Sequence, residues 1–247
     1  IIYPARRNVN KKVAIDKTPR TNYNSNRKYS AVGRTHGKSD IREKKEMSRG
    51  LIILDPGHGK TGNAHTTRAG YYEGTQNFVL SQFLRDELLA RGFDVKVTRE
   101  TVDDDPELAE RGGMAGRLGA IMFLSLHSNA PGASRSPEEY AKVRGAETYY
   151  SITDEEGNIP LARALNDAVV STMGTLDRGI KTRRYPDNEN VDYYSVIRNA
   201  AQSGCRRAFL IEHGFHTNPE DSAFLQSSEC LARLAKAEAD VIDKYFA

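Results

Sequence analysis

Two histidines and two glutamates in this chain have the residue types of a hydrolytic metal centre. His58 follows Leu51-Ile52-Ile53-Leu54-Asp55-Pro56-Gly57, His127 sits in Ser125-Leu126-His127-Ser128-Asn129, and Glu212 opens Glu212-His213-Gly214-Phe215. Each lies at the end of a short apolar run that reads as a buried strand. Glu73 stands at the start of a long helical stretch. Two histidines and one carboxylate, with a fourth position open, form the donor set of a catalytic zinc. A further carboxylate near bound water can serve as general base. The residue types thus propose His58, Glu73 and His127 as ligands of one Zn2+ per chain and Glu212 as the base. Plainer roles stay open. His58 can cap the turn after Pro56-Gly57, Glu73 can be a helix N-terminal carboxylate favoured by the macrodipole, and Glu212 can belong to a structural ion pair.

These four can meet only if the strands that carry them end at one edge. Leu51–Leu54 reads as a buried strand closed by Asp55-Pro56-Gly57. Residues 74–91 carry Phe78, Val79, Phe83, Leu84, Leu88 and Leu89 at helical spacing and close at Gly92. Residues 93–97 alternate like a strand, and 106–118 read as a helix with Pro106 in its first turn. Strands follow at 121–126, 147–152 and 207–211, with helices at 158–173 and 229–246. Strands alternating with helices predict an α/β fold, a mostly parallel central sheet with helices on both faces. Open sheets of that kind bind ligands outside the carboxyl ends of their strands. A βα connection would return Glu73 to the same edge.

Charge divides the chain. Residues 1–50 hold 14 Lys and Arg against 4 Asp and Glu, a net of +10, and the remainder has a net of −7. Residues 1–48 carry no periodic apolar stripe and cannot bury enough surface to fold alone. They read as a basic N-terminal arm or linker ahead of a catalytic domain over 49–247. A flexible linker, attachment to an anionic wall polymer or membrane, and docking on a protein partner are the readings of that arm. Nucleic acid is not expected, because no aromatic-basic platform accompanies the charge. No apolar run approaches the ~20 residues of a transmembrane span, and Ile1-Ile2-Tyr3 runs at once into Pro4 and two arginines, unlike a signal-peptide h-region. Cys205 and Cys230 read as two ordinary thiols, without the CxxC of a thiolate metal site.

The motifs also occur in a recognisable order. Leu54-Asp55-Pro56-Gly57-His58-Gly59, the helix opened by Glu73, Thr98-Arg99-Glu100, Leu108 to Arg111, Ser125 to Asn129, Arg178-Gly179-Ile180-Lys181 and Ile211 to Asn218 together resemble the N-acetylmuramoyl-L-alanine amidases called amidase 3. The likeness runs from about 51 to 246. It implies that His58, Glu73 and His127 bind zinc, that Glu212 is the catalytic carboxylate, and that Asn129 helps shape the site. The chain departs from the family pattern in three places. Gly74 stands where a Lys usually follows the metal-binding Glu, and His213 and His216 replace small or apolar residues. Pro131 to Arg144 is too short for the helical plug of inactive members, which implies an uncovered cleft.

The expected reaction is zinc-dependent hydrolysis of the amide between N-acetylmuramic acid and L-alanine in peptidoglycan, by an autolysin or endolysin. The protein would act at the bacterial cell wall, whether secreted, periplasmic or released by lysis. Arg178, Lys181 and the neighbouring Arg183 and Arg184 can face an anionic glycopeptide or form ordinary charged surface. His213 and His216 can line the cleft. His65 and His36 read as solvated loop residues. Two alternatives compete: a zinc-containing peptidoglycan-binding module without catalysis, and a zinc peptidase cutting within the stem peptide.

Overall fold

The computed structural model describes residues 48–63, 70–132 and 136–247. The basic arm read over 1–48 lies outside the described residues except for Ser48, and His36 and His65 lie outside them too.

The first strand, β1 (Leu51–Pro56), runs into helix α1 (Glu73–Ala90) and strand β2 (Asp94–Val97). Helix α2 (Leu108–Arg117), strand β3 (Met122–Asn129) and a short helix α3 (Pro137–Lys142) follow. Then come strand β4 (Ala146–Tyr150), helix α4 (Glu155–Met173), strand β5 (Asp177–Lys181) and a small hairpin of β6 (Arg184–Tyr185) and β7 (Asn188–Asp192). The chain closes with α5 (Ser195–Gln202), β8 (Ala208–Phe215), α6 (Pro219–Leu225) and α7 (Ser228–Tyr245).

The main sheet has the order β2-β1-β3-β8-β4-β5. Strands β2, β1, β3 and β8 are mutually parallel, β4 is antiparallel to β8, and β5 is parallel to β4. The expected α/β sheet with helices on both faces is therefore observed, with one reversal. That reversal sends the first residues of β4 and β5, not their last, to the edge where β1, β3 and β8 end.

Residue alternation along the strands divides the core between the two faces. On one face Ile52, Leu54, Leu124, Phe209 and Ile211 pack against α1, α4 and α7 through Leu84, Leu161 and Leu234. On the other, Ile53, Phe123 and Leu210 meet Ala115 of α2 and Val196 and Ala200 of α5. Burying one such Leu or Ile stabilises the fold by roughly 1.5–3 kcal/mol. Leu80, Leu84 and Leu88 of α1 recur every fourth residue and are fully buried, which is why that helix lies on the sheet along one stripe.

Several boundaries differ from the sequence reading. Strands β3 and β8 run on to Asn129 and Phe215, so His127 and Glu212 lie inside the ladder rather than after it. The hairpin, α5 and α6 were not anticipated. Between β3 and β4 the described residues hold only the six-residue α3. Cys205 and Cys230 are both free thiols. Among the described residues no helix is long and apolar enough to cross a membrane.

Candidate metal and hydrolytic site

The carboxyl edge of the parallel strands brings His58, Glu73 and His127 together. One donor atom from each lies within 4.8 Å of the others. His58 takes a left-handed backbone, φ 61°, just beyond β1. Such a conformation is costly for a non-glycine residue and persists only where the surroundings impose it. Here Gly57 N–H donates to the Leu126 carbonyl at 2.9 Å, and the Arg99 Nε donates to the Pro56 carbonyl at 3.2 Å. Arg99 also donates to the Gly74 carbonyl, so one buried guanidinium ties the end of β1 to the start of α1. Gly57 must be glycine: a Cβ there would stand 2.2 Å from Cε1 of His127. Gly74, the departure from the expected Lys, has a local cause, because a Cβ would stand 1.8 Å from the Gly59 carbonyl oxygen.

Glu73 is buried at the first position of α1. Its Oε1 accepts from the Ser128 N–H at 2.9 Å and from Asn77 Nδ2 at 3.3 Å, and lies 3.1 Å from His127 Nδ1. Its Oε2 accepts from Asn63 Nδ2 and lies 3.4 Å from His58 Nε2. Burial pushes this carboxyl upward, but the His127 hydrogen bond and the charges of His127, His58 and His216 outweigh it and hold Glu73 at about 2. Burial lowers His127 too, yet the bond to Glu73 leaves it raised, while His58 is lowered, chiefly by burial.

A zinc with ligands at about 2.0–2.1 Å requires tetrahedral donors about 3.3 Å apart. The three donors lie within 4.8 Å of one another, wider than that spacing but close enough for side-chain movement to bring them onto one ion. The two-nitrogen, one-oxygen donor set suits zinc as well. Asn77, Asn63 and the Ser128 amide hold Glu73 from behind, as ligand-orienting groups do.

Glu212 stands opposite His127 across the β3–β8 ladder and opposite Glu147 across β8–β4. Its Oε2 is buried, with no hydrogen-bond partner among the described residues. Burial pushes its carboxyl up, Glu73 and Glu147 adding to the rise against His127 and His213, to about 7. A carboxylate poised near neutrality is suited to taking and returning a proton. The cleft in front of it, about 540 Å³, is lined by His58, His127, Arg111, Leu108 and Tyr194.

Asn129, Arg178 and Lys181 converge on one carboxylate that the sequence reading did not single out, Glu147. Asn129 Nδ2 donates to its Oε1 at 3.1 Å, and Arg178 Nε to its Oε2 at 2.9 Å; Lys181 Nζ donates to Oε2 as well. His213 does not line the cleft. It faces the other side of β8, buried, with Nε2 2.8 Å from Glu238 Oε1 of α7 and Nδ1 3.0 Å from the His127 carbonyl. Adjacent strand residues point to opposite faces, so Glu212 and His213 cannot share the cleft. His216 is buried behind Glu73, stacked on Tyr71 at 5.3 Å, with Nδ1 2.9 Å from Ser128 Oγ. Asp55 was also unanticipated as a support. It accepts from Thr98 Oγ1 at 2.6 Å and Ser125 Oγ at 2.7 Å, beside the Arg111 guanidinium.

Residues 52–244 match the family described as N-acetylmuramoyl-L-alanine amidase, Amidase 3. The chain is similar to the N-acetylmuramoyl-L-alanine amidase LytC of Bacillus subtilis, 30% identical over 196 residues, covering 79% of this chain and 35% of LytC. It thus spans only about a third of that relative's length. Among solved structures it is similar to the catalytic domain of CwlV, an N-acetylmuramoyl-L-alanine amidase from Bacillus (Paenibacillus) polymyxa var. colistinus. That match has 27% identity and a TM-score of 0.64 over 79% of this chain and 97% of that one. It is likewise similar to the amidase AmiC2 of Nostoc punctiforme, with 26% identity and a TM-score of 0.65 over 80% and 97%.

Proposed function

This chain belongs to the N-acetylmuramoyl-L-alanine amidase family, Amidase 3, and from that premise we propose that it hydrolyses the amide joining N-acetylmuramic acid to L-alanine in bacterial peptidoglycan, using one zinc ion. The observation that carries the reading is the His58–Glu73–His127 group, with Glu212, whose buried Oε2 has no hydrogen-bond partner among the described residues, one strand away.

His58, Glu73 and His127 would hold the ion. When bound, zinc supplies Lewis-acid polarisation of the scissile carbonyl and lowers the pKa of a water. Glu212 takes the proton from the attacking water and returns it to the departing nitrogen of L-alanine, so the carboxylate is regenerated in each cycle. Its elevated pKa suits both transfers. Asp55, Thr98 and Ser125 hold the floor of the cleft rigid beneath His127, and Arg99 keeps the His58 turn against the start of α1. The wall is the proposed place of action.

Chelator-treated protein, with and without added zinc, tests the reading on purified peptidoglycan. New amino groups should be released only after zinc is restored. Release by chelator-treated protein without zinc, or none after zinc is restored, sinks the proposal.

A further inference from the structure

Glu147 and the cations around it have no task in the chemistry described so far. Glu147 is 4% exposed, yet its two oxygens take four donors: Asn129 and Tyr149 on Oε1, Arg178 and Lys181 on Oε2. A structural ion pair needs one cation for one carboxylate, and here two lean on a single oxygen. Both cations remain accessible, each side chain being 36% exposed. Arg178 lies over Phe215, its guanidinium carbon 4.8 Å from the ring centre, and it donates to Glu147 through its Nε. Arg183, two positions beyond β5, stands 3.6 Å from the ring centre of Tyr193 and 5.7 Å from that of Tyr194, which lines the cleft. None of the carboxylates among the described residues pairs with it. The three cations thus lie one residue back from the cleft, behind its lining residues Tyr194 and Glu212, and among them Glu147 is the one carboxylate they share.

The sheet fixes where that charge lies. Across β3, β8 and β4 the residues at the site edge run in the order His127, Glu212, Glu147, and Arg178 of β5, where the register with β4 shifts, reaches Glu147 through its side chain. Neighbouring strands are about 4.8 Å apart, which puts the backbone of Arg178 roughly 10 Å from that of Glu212. An extended peptide advances about 3.3–3.6 Å per residue, and an arginine side chain covers much of what remains. A substrate laid across this row with its scissile bond at His127 and Glu212 brings its next one or two residues to the cations. In peptidoglycan the second stem residue is acidic, and its α-carboxyl is either free or amidated.

We propose that Arg178, Lys181 and Arg183 form a subsite for a carboxylate on the stem peptide, one to two residues beyond the bond cut, and that the protein selects stems with that group free over amidated ones. Glu147 is a positioning residue: it holds Arg178 and Lys181 in place and leaves the outer guanidinium nitrogens of Arg178 for a bidentate carboxylate. The inference rests on the proposed amidase reading for its choice of ligand, and its test does not depend on turnover.

The experiment is calorimetric titration of the zinc-loaded protein with two stem peptides bearing a free N-terminal L-alanine. They are identical except that the second residue carries a carboxylate in one and a carboxamide in the other. The acidic peptide should bind roughly ten- to a hundredfold more tightly, as hydrogen bonds between charged partners do. The ratio should shrink with added salt, and should fall in Lys181→Met and in Arg178→Gln while Arg178→Lys keeps part of it. Lys181→Met leaves Glu147 with one cation, so it reports even if Arg178→Gln fails to fold. Equal binding of the two peptides by the wild type overturns the subsite, as does a preference unchanged in both variants. A clear preference without any cleavage of muramoyl peptide would leave the subsite standing and count against the amidase reading instead.

Discussion

Glu212→Gln should inactivate the protein and at the same time stabilise its metal-free form. In the fold the Glu212 carboxyl is pushed, chiefly by burial, from an ordinary 4.5 to about 7. A group whose pKa is higher in the folded state binds its proton more readily there than in the unfolded chain. Stability is therefore lost as pH rises from about 4.5 to about 7, and the full cost stands above that window. At about 1.36 kcal/mol per unit, the cost near pH 8 has a ceiling of about 3 kcal/mol. Glutamine has the shape of the protonated acid and cannot ionise, so the variant escapes the cost. In a domain of this size each kcal/mol moves Tm by roughly 2–4 °C, which makes a rise of up to about 10 °C near pH 8. Near pH 5 the folded carboxyl is largely protonated and the difference should shrink to about 1 kcal/mol. Thermal melts of chelator-treated wild type and variant at the two pH values decide the matter. Added zinc should reduce the gain, since a nearby cation favours the ionised carboxylate. A variant no more stable than wild type near pH 8, or equally stabilised near pH 5, would refute the reasoning.

Gly57→Ala should weaken zinc binding at least tenfold in competition with a chelating dye, because its Cβ would stand 2.2 Å from the His127 ring; a tenfold loss corresponds to about 1.4 kcal/mol. Arg99→Met removes the tie between the Pro56 and Gly74 carbonyls. It should cost roughly 10- to 100-fold in metal affinity, as lost ligand-supporting groups do, measured by the same competition. Glu238→Ala leaves Nε2 of buried His213 unpaired and should cost about 1–3 kcal/mol in urea unfolding, with a smaller loss in Glu238→Gln. Wild-type hydrolysis should decline on the acid side as Glu212 takes up its proton, and a pH profile of kcat/KM reads that limb directly.

The sequence made four of the site's residues legible because each lies where local pattern is strongest. His58, His127 and Glu212 end apolar runs, and Glu73 starts a long helix with apolar residues at helical spacing. Glu147 escaped because nothing in the Ala146–Tyr150 pattern tells which way the strand runs. Only the antiparallel pairing with β8 carries its second residue to the site edge. His213 was misjudged because the expected strand stopped at 211, two residues short of it, whereas β8 continues to Phe215 and turns His213 to the α7 side. Helix α5 is amphipathic but spans only Ser195–Gln202, too short for a helical period to stand out. The turn between β6 and β7 falls at Pro186-Asp187, between the paired Tyr185 and Asn188, and lacks the glycine that marks a two-residue hairpin in sequence. The sheet itself was readable from strand–helix alternation, and the reversed β4–β5 pair was not.

The most direct measurement is the mass of the soluble products released from purified peptidoglycan by the zinc-loaded protein and by its Glu212→Ala variant. Stem peptides with a new amine on L-alanine, from the wild type alone, are the predicted result. Intact muropeptides from both proteins would contradict it and leave a zinc-bearing wall-binding module. Peptides cut within the stem would contradict it in favour of a peptidase.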